Sequence, residues 1–233
     1  MKNSKRKKTK KENQNVLILL GPPGSGKGTQ AKLLMKKFGF SYFGSGDALR
    51  RRQKINDFTG RKLIEVMNKG DLVPSFVISK LWMDKFENFK KGRRLKGFIL
   101  DGSPRKLIEA KFLDEALEWY QWSKTAKVLF IYISRKESLD RLTKRRICKN
   151  CFKLFPWVGE YKYIKRCDRC GGELVTRPDD KIDSIKRRLE EFKKETFPVI
   201  NHYKKEGKLI KINGEQTIED VFEEILKKLK YNK

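Results

Sequence analysis

Residues 16–39 read VLILLGPPGSGKGTQAKLLMKKFG. The apolar run Val16–Leu20 stops at Gly21 and Pro22, which is the pattern of a buried strand ended by a turn. From Lys27 onward, Ala31, Leu34, Met35 and Phe38 recur at i, i+3, i+4 and i+7. That spacing predicts one face of a helix, with Gly39 as its stop. Between strand and helix lie Gly21, Gly24, Gly26 and Gly28. Glycine reaches backbone conformations that other residues avoid, so such a loop can turn successive N–H groups inward around an anion. The helix N-terminus behind it adds to the cradle, and Lys27 brings a full positive charge to the β- and γ-phosphates of a nucleotide. A glycine-rich turn that binds nothing would not need both flanking elements. One detail departs from the common form. The residue after the lysine, most often Ser or Thr, is Gly28, and the hydroxyl arrives one place later at Thr29.

Further strands are predicted at Gly97–Leu100, ending on Asp101, at Val128–Ile133 and at Leu209–Ile212. Helices are expected over Ser138–Arg146 and along a face marked by Ile182, Ile185, Leu189 and Phe192. A last helix opens at Thr217 and carries Ile218, Val221, Phe222, Ile225 and Leu229 on one side. Strands alternating with helices predict an α/β fold, a parallel phosphate-loop sheet covered on both faces. Cys148–Arg177 does not fit that alternation and reads as a small insertion with its own source of stability. It holds all four cysteines, in CKNC (Cys148, Cys151) and CDRC (Cys167, Cys170). Two C-x2-C knuckles at this separation predict a zinc site. Four thiolates leave no open position for water, so the metal is expected to be structural, standing in for a core that so short a segment cannot build. Disulfides are the alternative, and a reducing compartment disfavours them.

The 233 residues suffice for one substantial core with an inserted subdomain. Lys and Arg number 57 against 29 Asp and Glu, a formal charge of +28. Such a field attracts anions without choosing between nucleotides and nucleic acids, and a lysine-biased solvated surface would give the same count. Residues 1–14 form a basic arm without apolar periodicity and are expected to be disordered. The arm reads as a bystander tail, with loose contact to nucleic acid as the other reading. No apolar run approaches the roughly 18 residues of a membrane span, and the charged N-terminus is not a secretory signal. A soluble, cytoplasmic protein without membrane contact is expected.

The variant GPPGSGKGTQ resembles the loop of adenylate kinases and related nucleoside monophosphate kinases. Further segments resemble that family in the same order: GSGDALR (Gly44–Arg50), KGDLVP (Lys69–Pro74), GFILDGSPR (Gly97–Arg105), DRLTKRR (Asp140–Arg146), TRPDD (Thr176–Asp180) with the later Arg188, and INGEQ (Ile212–Gln216). The cysteine insertion resembles the zinc-bearing lid of many bacterial adenylate kinases. Only residues 1–14 fall outside the likeness. It implies a core (15–43, 74–142 and 180–233), a monophosphate-binding subdomain (44–73) and a lid (143–179). It also implies a monomer that moves a phosphoryl group from Mg-ATP to AMP, giving two ADP for adenine nucleotide homeostasis.

Bringing two phosphate chains together demands cations, a magnesium site and exclusion of water. Arginine suits the task because its planar fork takes two phosphate oxygens at once. The resemblance implies that Arg50 and Arg105 hold the acceptor phosphate and that Arg141, Arg145, Arg177 and Arg188 close over the donor. It implies that Asp101 holds Mg2+ through water, and that Thr29 lies at the loop, where capping the helix is its simpler role. Nucleotide contacts are implied for Gly21, Gly24, Ser25, Gly26, Lys27, Gly28, Thr29, Arg141 and Phe155 on the ATP side. On the AMP side they are implied for Ser45, Arg50, Val73, Gly102, Arg105 and Glu109.

Two positions depart from the family pattern. Ser103 stands where Phe or Tyr is usual, and Glu109 stands where a glutamine is usual. That glutamine's amide accepts from adenine N6 and donates to N1, whereas a carboxylate only accepts. Guanine, with N1–H and N2–H2 as adjacent donors, would suit a free carboxylate. Glu109 either keeps one bond to N6, or the acceptor is GMP or another monophosphate. A different class of function, a nucleic-acid-binding protein with a nucleotide-binding core, would draw on the charge and the zinc knuckle. Against it, the arginines sit in kinase motifs. The lone His202 reads as an ordinary surface or packed residue.

Overall fold

The computed structural model describes residues 14–91, 95–177 and 180–230. Most of the basic arm, and Pro178 and Asp179 of the TRPDD segment, lie outside the described residues. In chain order the elements are β1 (Asn15–Leu20), α1 (Lys27–Phe38), β2 (Ser41–Gly44), α2 (Ser45–Arg52), α3 (Phe58–Lys69), α4 (Ser75–Lys91), β3 (Gly97–Asp101), α5 (Leu107–Trp119) and β4 (Ala126–Tyr132). They continue with α6 (Arg135–Lys144), β5 (Arg146–Cys148), β6 (Leu154–Phe155), β7 (Leu174–Thr176), α7 (Ile182–Glu191), α8 (Phe197–Lys205), β8 (Leu209–Asn213) and α9 (Ile218–Leu229).

Five strands form one sheet in the order β2-β3-β1-β4-β8, and every pairing is parallel. Side chains alternate across a strand, and β1 shows why its apolar run has no polar member. Val16, Ile18 and Leu20 pack on one side with α4, α5 and α8, whose Trp82, Phe86, Leu113 and Tyr203 are buried there. Leu17 and Leu19 pack on the other side with Ala31 and Leu34 of α1 and Val221 and Ile225 of α9. The first of these layers holds an aromatic knot in which Phe86 and Phe98 meet Trp122 edge-on at 5.5 and 4.8 Å between ring centroids. Edge-to-face contact is the favoured geometry for rings whose faces and edges carry opposite partial charge.

The strands that the sequence predicts are present with ends moved by one or two residues. The helix expected at Ser138–Arg146 instead starts at Arg135, where the Ser134 hydroxyl accepts from Glu137 N at 3.2 Å, and stops at Lys144. Arg146 is drawn out of it by pairing with Phe155 and Thr176 in a separate antiparallel sheet, β6-β5-β7. Ile182 is 57% exposed rather than core-facing, because it sits in the first turn of α7, while Ile185 and Leu189 are buried. Thr217 caps α9 as expected, its side chain accepting from Asp220 N at 3.1 Å. The sequence patterns do not mark the strand β2 or the helices α2 to α5. No helix among the described residues is long and apolar enough to cross a membrane.

Candidate active site

All five parallel strands end at one edge of the sheet, and that is where an open α/β sheet offers a crevice. The loop after β1 leads into α1 through Gly26, which holds the N-cap position at φ 88°, a left-handed backbone. No side chain caps α1; Thr29 N bonds back to Gly26 O at 3.0 Å, and the opening of the helix ahead of it faces any anion in the loop. Thr29 therefore has no capping role; it lies in the first turn of the helix, on the wall of the cleft. At Gly21 a Cβ would stand 2.3 Å from the Ile131 carbonyl oxygen, so no side chain fits.

Lys27 folds back into this loop. Its Nζ donates to Gly21 O at 2.7 Å, Pro22 O at 2.9 Å and Ser25 Oγ at 3.2 Å. Desolvation pushes its pKa down to about 7, with Arg105, Arg188 and Arg145 acting in the same direction and Asp101 opposing. The ammonium is thus poised to turn toward any phosphate that enters. A Cβ on Gly28 would lie 3.4 Å from Asp101 Oδ2, which places that carboxylate against the start of α1.

Asp101 ends β3 in register with Leu19 of β1 and Gly44 of β2. Tyr42 donates its hydroxyl to Asp101 Oδ2 at 2.9 Å, and the Ser45 hydroxyl donates to Asp101 O at 2.7 Å. Burial raises the Asp101 pKa, while Lys27 and the Tyr42 hydrogen bond favour the carboxylate. Burial and Asp101 in turn push Tyr42 well above the usual phenol range, so Tyr42 stays a donor. A half-buried carboxylate flanked by a lysine and an anion cradle has the hard oxygen character that Mg2+ prefers, and the residues present fit such an ion.

Beyond Asp101 the cleft continues between α2, the Gly70–Val73 turn and the loop after β3. Its walls include Ser45, Arg50, Val73, Gly102, Arg105, Glu109, Arg177 and Arg188. Arg50 pairs with Asp47 at 2.5 Å, and Arg105 Nε donates to Gly102 O at 2.8 Å. Desolvation and then the nearby Arg188 lower the Arg105 pKa, although part of its surface faces the open cleft. Arg145 grips Asp180 with two parallel bonds of 2.7 and 2.6 Å, and Arg188 adds a third at 3.1 Å. The Asp180 side chain is fully buried. Glu109 is 2% exposed, and its Oε2 accepts from Arg105 N at 2.7 Å and Lys106 N at 3.4 Å. Its Oε1 accepts from the Ser75 hydroxyl at 3.2 Å. Ser103 is buried in the same wall, and its Oγ has no hydrogen-bond partner among the described residues.

On the other side of the loop, Gly24, Ser25, Gly26, Thr29 and Arg141 line a second cleft. Arg141 is nearly buried; it pairs with Glu137 at 2.6 Å and donates to Gly214 O at 2.9 Å. Pro156 and Val158 complete this wall from the β5–β7 region. Phe155, for which a nucleotide contact was expected, is instead 1% exposed and packed beside Cys148 and Cys167 as core of the small sheet. The alternation that buries Phe155 turns the next residue, Pro156, toward the cleft.

The four cysteines converge. Cys148 and Cys170 are 3.5 Å apart at their sulfurs, as are Cys151 and Cys167, and all four sulfurs lie within 4.8 Å of one another. A disulfide needs about 2.05 Å, so these are thiols. Four ligands at about 2.3 Å from a tetrahedral Zn2+ stand about 3.7 Å from each other, and the cluster fits that ion. His202 lies elsewhere, its Nε2 2.7 Å from Asp114 Oδ2 and 3.2 Å from Glu206 Oε1.

Three side chains that touch this machinery are not marked as site residues by the sequence: Tyr42 behind Asp101, Ser75 behind Glu109, and Asp180 behind two arginines. Each acts through another residue, and of them only Asp180 lies within one of the segments that carry the family likeness. Two clefts lined by arginines, with the phosphate loop and the Lys27–Asp101 pair beside them, form an arrangement suited to a phosphotransferase acting between two nucleotides.

Comparisons with known proteins agree. Residues 19–208 match the family model described as "Adenylate kinase". Among similar curated proteins are adenylate kinases of Caldanaerobacter subterraneus subsp. tengcongensis, 42% identical over 91% of this chain and 95% of that protein, and of Caldicellulosiruptor bescii, 41% identical over 91% and 98%. That of Archaeoglobus fulgidus is 39% identical over 90% of this chain and 95% of its own. With the match taking in the phosphate loop, the arginine-lined cleft and the cysteine insertion, the chain belongs to the adenylate kinase family.

Proposed function

We propose that this chain transfers the terminal phosphoryl group of ATP to AMP, reversibly and with Mg2+, giving two ADP. One observation carries the reading. Arg50, Arg105, Arg177 and Arg188, brought from separate parts of the chain, line a single cleft, and two of them, Arg105 and Arg188, lie near enough to Lys27 of the phosphate loop to lower its pKa.

An oxygen of the AMP phosphate attacks the γ-phosphorus of ATP in line with the departing β-phosphate oxygen. No protein bond forms, so positioning and charge supply the catalysis. On this proposal Arg50 and Arg105 hold the acceptor phosphate, in a pocket formed with Ser45, Val73, Gly102 and Glu109. Gly21, Gly24, Ser25, Gly26, Gly28 and Thr29 cradle the donor, and Lys27 leaves its carbonyl partners to take the β- and γ-phosphates. Arg141, Arg145, Arg177 and Arg188 stabilise the charge of the group in transit, with Asp180 holding two of them in place. When bound with ATP, magnesium supplies charge neutralisation at the β- and γ-phosphates; Asp101 would hold it. Zn2+ in the Cys148, Cys151, Cys167 and Cys170 cluster would supply the stability that a small sheet with few core residues lacks. The helix pair of 44–73 and the lid of 143–179 act as two closing parts that keep water from the γ-phosphate. The four cysteines stand as thiols rather than disulfides, which supports a reducing cytoplasm.

The test is ADP formation from Mg-ATP and AMP by zinc-replete protein. AMP-dependent turnover that disappears in Lys27→Met is expected. Absence of AMP-dependent ADP formation by folded protein would overturn the reading.

A further inference from the structure

The single histidine of the chain, His202, stands between two carboxylates. It belongs to α8, and Glu206 follows one turn later as the C-cap of that helix, its N–H donating to His202 O at 3.1 Å. Side chains four residues apart share a helix face. Helix α5, which packs against α8, brings Asp114 to that face. His202 Nε2 is 2.7 Å from Asp114 Oδ2 and 3.2 Å from Glu206 Oε1, and one donor atom from each of the three lies within 4.8 Å of the others. None of them lines either nucleotide cleft.

Behind this trio lie two groups with unused bonding capacity. Asp114 Oδ1 and the Tyr203 hydroxyl are buried, and neither completes a hydrogen bond among the described residues. Tyr203 has no exposed surface, and burial followed by the charge of Asp114 pushes its pKa well above the usual phenol range, so it stays a donor at the back of that carboxylate. Lys208 Nζ, 2.6 Å from Glu206 Oε2 and 3.8 Å from Asp114 Oδ1, offsets the charge of both carboxylates.

We propose that Asp114, His202 and Glu206 form a second metal site, a clip between α5 and α8 that takes a divalent cation of the zinc class. An imidazole with two carboxylates suits a borderline ion, whereas calcium and magnesium prefer oxygen donors alone. Nitrogen and oxygen ligands at about 2.1 Å from a tetrahedral Zn2+ stand about 3.4 Å apart. The His202–Glu206 spacing is close to that already, and the His202–Asp114 spacing must open by a fraction of an ångström. The three side chains are partly exposed, which leaves them room to adjust and leaves water a fourth position. Carboxylates that hold a metal are themselves held by an outer hydrogen-bond donor, and the Tyr203 hydroxyl is placed to supply one at Asp114 Oδ1. Lys208 competes with the metal for the same carboxylates and turns to solvent when it binds. The clip ties α5 to α8 without touching the groups that act on nucleotides.

The experiment uses untagged full-length protein whose cysteine cluster already holds one equivalent of Zn2+. Because the chain has one histidine, the imidazole NMR spectrum reports this ring alone. Further Zn2+ should bind as one calorimetric equivalent and shift the His202 ring resonances at the same stoichiometry. At a hundredfold excess over its Kd, Tm should rise by about 5–10 °C. His202→Gln and Glu206→Gln should each weaken this second equivalent by about tenfold or more, and Lys208→Met should tighten it by about twofold to fivefold. ADP formation should stay as in the wild type for all three. A hydrogen-bonded network with no metal role would leave the ring unmoved by zinc. Ring resonances unmoved up to millimolar Zn2+ overturn the proposal, and that readout needs only the wild type. A second equivalent whose affinity is the same in folded His202→Gln also overturns it.

Discussion

Asp180 is a carboxylate with no exposed surface that takes three charge-assisted hydrogen bonds, at 2.7 and 2.6 Å from Arg145 and at 3.1 Å from Arg188. Replacing it with Asn keeps the shape and removes the charge. One amide oxygen can still accept, but the NH2 group then faces a guanidinium donor. At least one of the three bonds is lost and two cations, 12% and 21% exposed at their side chains, lose their counter-charge. Bonds to charged groups are worth about 1.5–3 kcal/mol each, and stripping one partner from a buried pair costs about 3–5 kcal/mol, so Asp180→Asn should lose about 3 kcal/mol. For a chain of this size that corresponds to a fall of about 6–12 °C in Tm. If Asp180 also aims the two arginines at the transferring phosphate, kcat should fall by about a hundredfold, the penalty of an ångström-scale misplacement. Denaturant unfolding gives the first quantity, and the coupled ADP assay, well below the variant's Tm, gives the second. A variant that is destabilised but keeps kcat within about threefold would refute the positioning argument. One that keeps both would refute the energetic reasoning as well.

Lys27 has a pKa of about 7 in the empty loop, and phosphate oxygens favour its charged form. Nucleotide binding above that pH must therefore take up a proton, and affinity should weaken between about pH 7 and about pH 9; calorimetry in buffers of different ionisation enthalpy reads the uptake directly. Tyr42→Phe removes a hydrogen bond that favours the Asp101 carboxylate, so the Asp101 pKa rises and the acid limb of the pH–rate profile should move to higher pH. An acid limb that stays in place or moves down would contradict this. Chelation of a metal held by the four cysteines should erase hydrogen-exchange protection in β5, β6 and β7 while β1, β3 and β4 keep theirs, since among the described residues only Cys148, Phe155 and Cys167 are buried in the small sheet's core. Protection unaffected by the chelator would show that the small sheet stands without metal.

Contiguous features are legible in the amino-acid sequence itself. The strand, loop and helix of residues 16–39 carry both periodicities within one short window, and the paired cysteines declare a shared ligand by spacing alone. What the sequence hides depends on contacts between distant positions. Tyr42 meets Asp101 across a separation of 59 residues, and Arg145 meets Asp180 across 35. Helix α4 buries Ile78, Trp82, Phe86 and Phe89 at helical spacing, yet exposed Phe76 and Met83 on its opposite face blur the stripe. At Glu109 the sequence leaves two readings open, because whether both carboxylate oxygens are free is decided by the backbone of Arg105 and Lys106. Phe155 misleads because a place in the lid does not say which way a strand residue points.

The parallel sheet also fixes where the chain comes in. Gln14 is pinned at the start of β1, its side chain accepting from Trp122 Nε1 and its carbonyl from Thr125 Oγ1, both at 2.5 Å. The phosphate loop leaves the other end of that strand, about 20 Å away for its six residues. Whatever is joined ahead of Gln14, whether a native extension, a fluorophore or a surface tether, therefore attaches on the side of the sheet remote from the nucleotides. This makes the amino terminus the natural handle for immobilising the enzyme with its clefts facing outward.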